Sequence, residues 1–239
     1  MNAKGTGIAR GVLVLALAIN TLFGALYLGL AAMGPSGARL LKVFDLDSEA
    51  NPPAWWSGSL LLLVGVVLLV LVLRPLSDHP RVRPLRGAFA TLGLAFVFLS
   101  ADEIGMIHED LSGLLRGKDL VPTLFGEGFW IVPYAVLGVV LVAALWRYIV
   151  RGWHLWGPQF RVALAGGVLF VSGGVLVEMV GYLVNRGLGT TPLQICIEEM
   201  AEMTGEAVML FAVVSVLVTV VSELFVLRSP DEVAALAQK

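Results

Sequence analysis

Residues 87–110 read GAFATLGLAFVFLSADEIGMIHED. The uncharged run Gly87–Ala101 covers only about 22 Å as a helix, at about 1.5 Å per residue. The hydrocarbon core of a bilayer is about 30 Å thick. A helix built on this run crosses a membrane only if Asp102 and Glu103 go in with it. A carboxylate at the centre of such a helix costs about 2.5–3.5 kcal/mol on insertion scales, and it persists only with a partner. The stretch therefore bears on fold and function at once.

The same pattern occurs twice more. Val162–Val177 must continue through Glu178 to span, and Ala207–Ser222 must begin upstream, with Glu202 and Glu206 inside. Three further runs span almost without charge: Gly11–Ala32, Trp55–Leu73 and Gly128–Trp146. The reading is an all-α bundle of six transmembrane helices over about 11–32, 55–73, 87–107, 128–146, 162–185 and 200–222. It forms a single integral membrane domain over residues 1–239, with no internal repeat. Composition agrees: 58% of residues are hydrophobic, 14% are charged and the mean hydropathy is +0.88. A soluble domain carries about 25% charged residues.

The N-terminal run follows Lys4 and Arg10 as a signal peptide would, but a signal core has roughly 7–15 apolar residues. Gly11–Ala32 is longer, so a retained first helix is expected. Ser229-Pro230-Asp231-Glu232 is a helix start, with serine as cap and proline at the first position. It predicts a short cytoplasmic helix over about 230–238.

Basic residues set the orientation. Lys4, Arg10, Arg74, Arg81, Arg83, Arg86, Arg147, Arg151, Arg161, Arg228 and Lys239 all fall on one side if both termini are cytoplasmic. Of the acids, only Asp78, Glu223, Asp231 and Glu232 join them. The other carboxylates lie on the outer side, and three helices place acids there at similar depth.

Three constellations follow. On the third helix, Asp102 and Glu109 share one face and Glu103 and Asp110 the next, while His108 points elsewhere. A bend near Gly105 would let them converge. On the sixth, Glu198, Glu199, Glu202 and Glu206 fall within one 100° face at 100° per residue. Stacked carboxylates repel. A bound cation, shared protons or basic partners must relieve them. On the fifth, Glu178, Tyr182 and Asn185 share a face. Asp102, Glu103, His108, Glu178, Glu199, Glu202 and Glu206 are the expected metal ligands. Hard oxygen donors favour iron, manganese, zinc or another divalent or transition metal ion. Met106, Met179, Met200, Met203 and Cys196 lie nearby and would suit copper, but methionine more often fills gaps. His79 and His154 lie in basic inner loops and read as solvated. Trp55-Trp56 reads as an interfacial anchor.

Glu199-x-x-Glu202 resembles in spacing the Glu-x-x-His motif of di-iron carboxylate proteins, with glutamate in the histidine's place. Glu198-Glu199-x-x-Glu202 resembles the Arg-Glu-x-x-Glu helix of high-affinity iron permeases, with Glu198 where the arginine stands. Both resemblances imply iron held by carboxylates. Both cover a small part of the chain, and no family follows from them.

A membrane metalloprotein, acting as an enzyme on a lipid or other apolar substrate, is the leading expectation. A cation or proton transporter would need polar groups through the inner half, where Leu61–Leu73, Leu137–Leu145 and Phe211–Val221 are nearly all aliphatic. A non-catalytic subunit or assembly factor is the third possibility. Membrane lipid, a membrane-protein partner or a second copy of the chain are the expected partners, and nucleic acid is not. No nucleotide-binding loop is present. Cys196 is the single cysteine, which excludes an intrachain disulfide.

Overall fold

The computed structural model describes residues 3–48, 50–107, 110, 131–177 and 191–226. Every regular element among them is helical. In chain order these are α1 (Ala3–Ala32), α2 (Ala38–Leu41), α3 (Pro52–Val72), α4 (Arg86–Gly105), α5 (Ile131–Val171) and α6 (Pro192–Val226). Short 3-10 turns connect some of them, and a π-helical segment, Ser172–Val177, extends α5. All but α2 are long and apolar enough to cross a membrane, and α5 with its extension counts as one run. The expected C-terminal helix over 230–238 lies outside the described residues.

Helix boundaries follow local chemistry. Asn51 caps α3: its Oδ1 accepts from the Ala54 amide at 3.1 Å. Its Nδ2 donates to the carbonyls of Asp45 and Ser48, both at 2.6 Å. Pro52 takes the first helical position, where no amide hydrogen is needed. At the far end of α4 the chain leaves the helix through Met106, at φ 56° and ψ 31°. The bend expected near Gly105 therefore falls one residue later. A side chain in this left-handed region costs about 1 kcal/mol or more, so tertiary contacts hold it.

The described parts of runs 128–146 and 162–185 meet within one element. Helix α5 has a single non-helical residue, Trp156, at φ −131° and ψ 30°. A straight helix of this length would extend about 60 Å. Instead the Phe160 ring lies 3.0 Å from where a Gly152 Cβ would stand, and the Trp153 and Phe160 rings are 6.1 Å apart. The arm before Trp156 packs on α4, with the Tyr134 and Phe98 rings 6.5 Å apart. The arm after it packs on α6, where Gly166 meets Gly205 and Met209.

Glycines set the closest approaches, as is usual between apolar helices. A Cβ on Gly65 would stand 2.8 Å from the Gly93 carbonyl oxygen, between α3 and α4. One on Gly205 would stand 2.5 Å from the Phe170 nitrogen. The bundle has an acidic end, where α4 finishes and α6 begins, and an arginine-rich end. Between them lies an apolar core of Ala16, Leu60, Val64, Leu68, Ala207, Met209 and Leu210.

At the arginine-rich end one expectation is overturned. His79 is buried, and its Nε2 lies 2.8 Å from Glu223 Oε2. Arg81 pairs with the other oxygen of Glu223. The Arg81 guanidinium also stacks over the Trp156 ring at 4.5 Å, and Trp156 Nε1 donates to the Arg81 carbonyl at 3.2 Å. Burial of Trp156 at the break in α5 draws the loop that carries His79 inward. His154 is exposed, as expected.

Candidate functional site

Helix α6 begins at Pro192, well before the run 200–222, so Glu198, Glu199, Glu202 and Glu206 all lie on one helix. Glu206 is fully buried. Its Oε1 accepts from Ser57 Oγ on α3 at 2.9 Å. Its Oε2 has no hydrogen-bond partner among the described residues. Glu198, Glu199 and Glu202 are half-buried. The π-helical segment crowds Glu202: a Cβ on Gly174 would stand 3.0 Å from its Oε1, and one on Gly173 would stand 2.7 Å from its Cγ. At Gly173 a Cβ would also stand 2.8 Å from the Glu198 carbonyl oxygen, so glycine there lets the second arm of α5 lie against the acids.

Helix α4 divides its two acids. Glu103 lies within electrostatic reach of both Glu199 and Glu206. Asp102, buried, forms a side-chain hydrogen bond with Tyr134 of α5. Successive helix positions differ by about 100°, so neighbouring acids face different partners. The charges acting on Glu199 are those of Glu202, Glu103, Glu198 and Asp47. Those acting on Glu206 are Glu103 and Glu199. All carry the same sign.

The structure thus brings together Glu103, Glu199, Glu202 and Glu206, and it sets Asp102 apart with Tyr134. His108 and Glu178 lie outside the described residues, as do Glu109, Tyr182, Asn185 and Met179. Asp110 is exposed. Among the described residues no group of three or more His, Cys, Asp or Glu is placed to hold a metal ion. The soft side chains are core: Cys196 and Met203 are buried with Tyr27, Leu46 and Ile195, and Met200 packs against them. They offer copper nothing that gap-filling does not explain.

Sequence reasoning missed several partners. Ser57, Tyr134 and Asp47 gave no signal, since a lone hydroxyl or a loop acid has no pattern. Trp56, expected as an interfacial anchor, donates Nε1–H to Asn20 Oδ1 at 2.7 Å. Trp55 is 60% exposed, as an interfacial anchor would be. Asn20, an amide within an apolar helix, is fully buried. That amide was the one available cue.

Residues 9–217 match a protein family described as Domain of unknown function (DUF8692). The chain belongs to that family. The match overlaps all five long helices and takes in every acid of the site, so the carboxylates lie within the family's shared domain. No curated protein and no solved structure matches the chain.

Proposed function

We propose that this protein is a multi-pass cell-membrane protein of six spans with both termini cytoplasmic. Its outer-half carboxylates form a membrane-embedded acid site that holds cations. The reversal of α5 at Trp156 supports the count of six, and the arginine-rich end supports the orientation. The site rests on one observation: among the described residues, the charges acting on Glu199 and Glu206 are all acidic. Like charges in a low-dielectric interior cannot all ionise, so a proton or another cation must accompany them.

The proton is the first occupant, with Glu206 as a buried carboxylic acid. The site is then suited to acid–base chemistry on a lipid or apolar group arriving from the outer leaflet. A shallow surface depression lined by Phe23, Pro52, Trp55 and Trp56 offers apolar surface on α3, the helix that also carries Ser57. Transport fits less well. Ser215 and Thr219 donate to carbonyls of their own helix, and the core beyond Glu206 is apolar. A path would need free polar groups there.

A metal ion is the second reading. It rests on residue type, since carboxylate oxygens suit iron, manganese or zinc, and not on an arrangement of three described ligands. It would draw its remaining ligands from His108 and Glu178. The test is metal analysis of the purified full-length protein beside Glu202→Gln/Glu206→Gln, with infrared detection of protonated carboxyl groups. We expect no stoichiometric metal and a carboxylic-acid band lost in Glu206→Gln. A stoichiometric metal lost in the double variant would replace the proton with a metal centre. Absence of both metal and acid band would end the cation reading.

A further inference from the structure

Two buried polar atoms at the junction of α1, α3 and α6 have no hydrogen-bond partner among the described residues: Glu206 Oε2 and Asn20 Nδ2. Both residues are fully buried. Adjacent residues of α3 hold their other atoms, Ser57 on Glu206 Oε1 and Trp56 on Asn20 Oδ1. The two side chains are thereby fixed at one end and unsatisfied at the other.

Helix register places the two residues at similar depth in the bundle. A Cβ on Gly24 of α1 would meet Met200 Sδ at 2.9 Å and Cys196 Sγ at 3.5 Å, and Ala16 shares a core cluster with Ala207. The helices therefore run antiparallel. Asn20 lies between Gly24 and Ala16, and Glu206 precedes Ala207. Their offset along the bundle is about 3–5 Å at about 1.5 Å per residue. Every Cα–Cβ bond tilts towards its own helix N-terminus. In an antiparallel pair, Asn20 leans towards the arginine-rich end and Glu206 towards the acidic end, so the tilts close the offset.

Leaving a buried amide or carboxyl unpaired is unfavourable, and a buried water typically makes two to four hydrogen bonds to such groups. We propose that Asn20 Nδ2 and Glu206 Oε2 form a binding site for one water molecule. The water accepts from the amide and serves as the immediate proton partner of Glu206. The site shares Glu206 with the reading above, but its second anchor, Asn20, plays no part in the acid cluster.

The experiment is an experimental density map of the full-length wild-type protein in lipid, at a resolution that shows ordered water. It is paired with infrared spectra in H₂¹⁶O and H₂¹⁸O. We expect one water within hydrogen-bonding distance of both atoms, and an isotope-sensitive O–H band lost in Asn20→Leu and in Glu206→Gln. Asn20→Ser, which keeps a donor, should retain the band. A direct amide–carboxyl bond, or density for neither water nor contact, would overturn the site. So would a band that survives Asn20→Leu in folded protein. None of these outcomes depends on metal content or on the acid band, so failure here is distinct from failure of the cation reading.

Discussion

The two ends of this bundle handle buried charge in opposite ways. At the arginine-rich end, Glu223 meets His79 and Arg81, and Arg81 also stacks on Trp156. Unlike charges face one another and the loop folds over them. At the acidic end, Glu103, Glu199 and Glu206 meet charges of their own sign, and Glu206 leaves one oxygen unpaired. The first arrangement is complete as built and closes the fold. The second shows no compensating charge among the described residues, which is what the proposed cation site rests on.

The helix contacts that assemble the ends differ in the same sense, and they give the largest expected effect. A Cβ on Gly205 would meet backbone atoms, Phe170 N at 2.5 Å and Gly166 O at 2.6 Å. On Gly152, near the break at Trp156, it would meet only the Phe160 ring at 3.0 Å. Backbone cannot give way as a side chain can. Gly205→Ala should lose about 1–3 kcal/mol despite its gain in helix propensity, whereas Gly152→Ala should lose less than about 1 kcal/mol. Denaturation of the two variants in detergent measures both. Equal losses would show that both ends are assembled with the same tolerance.

The asymmetry between the ends was legible before any coordinates, because positive-inside counting and short uncharged cores both depend only on composition along the chain. The convergence of α4 and α6 acids followed from the charge count, which sets the direction in which each helix runs. What escaped depends on which way a side chain turns. Asp102 and Glu103 differ by one position, yet one meets Tyr134 and the other the α6 acids. His79 lies in a loop of arginines and is drawn in by Trp156, which sits far off in sequence. Hydropathy reports that a residue is in the membrane, not which neighbour it faces. Asn20 shows the limit: an amide within an aliphatic helix is visible, but its partner Trp56 is not.

Replacing one acid at each end by its amide should affect stability differently. Glu223→Gln removes the charge that Arg81 and His79 share and should cost about 1 kcal/mol, a modest figure because the pair is partly exposed. Glu206→Gln keeps an acceptor for Ser57 and removes a carboxyl from a field of like charge. It should leave stability unchanged or raise it by up to about 1 kcal/mol. Salt adds a second handle. Screening lengths fall from about 10 Å at 0.1 M to about 3 Å at 1 M. The wild-type contribution of Glu223 should shrink with salt, while the Glu206→Gln effect, in a buried setting, should not. Equilibrium unfolding at two salt concentrations reads both, and a loss of stability in Glu206→Gln would show that its charge is already compensated.

The smallest effect belongs to a pair that resembles the Glu223 network on paper. Arg74 and Asp78 stand 3.8 Å apart at i and i+4, again at the arginine-rich end, but their side chains are 80% and 61% exposed. Water already solvates both groups, and holding two mobile side chains together costs entropy that offsets the attraction. Asp78→Asn should therefore change stability by less than about 0.5 kcal/mol. The same unfolding assay checks it against Glu223→Gln. If the two substitutions cost the same, then burial of His79 and stacking on Trp156 add nothing to the Glu223 pairing. The contrast between the ends would then rest on net charge alone rather than on how each end is packed.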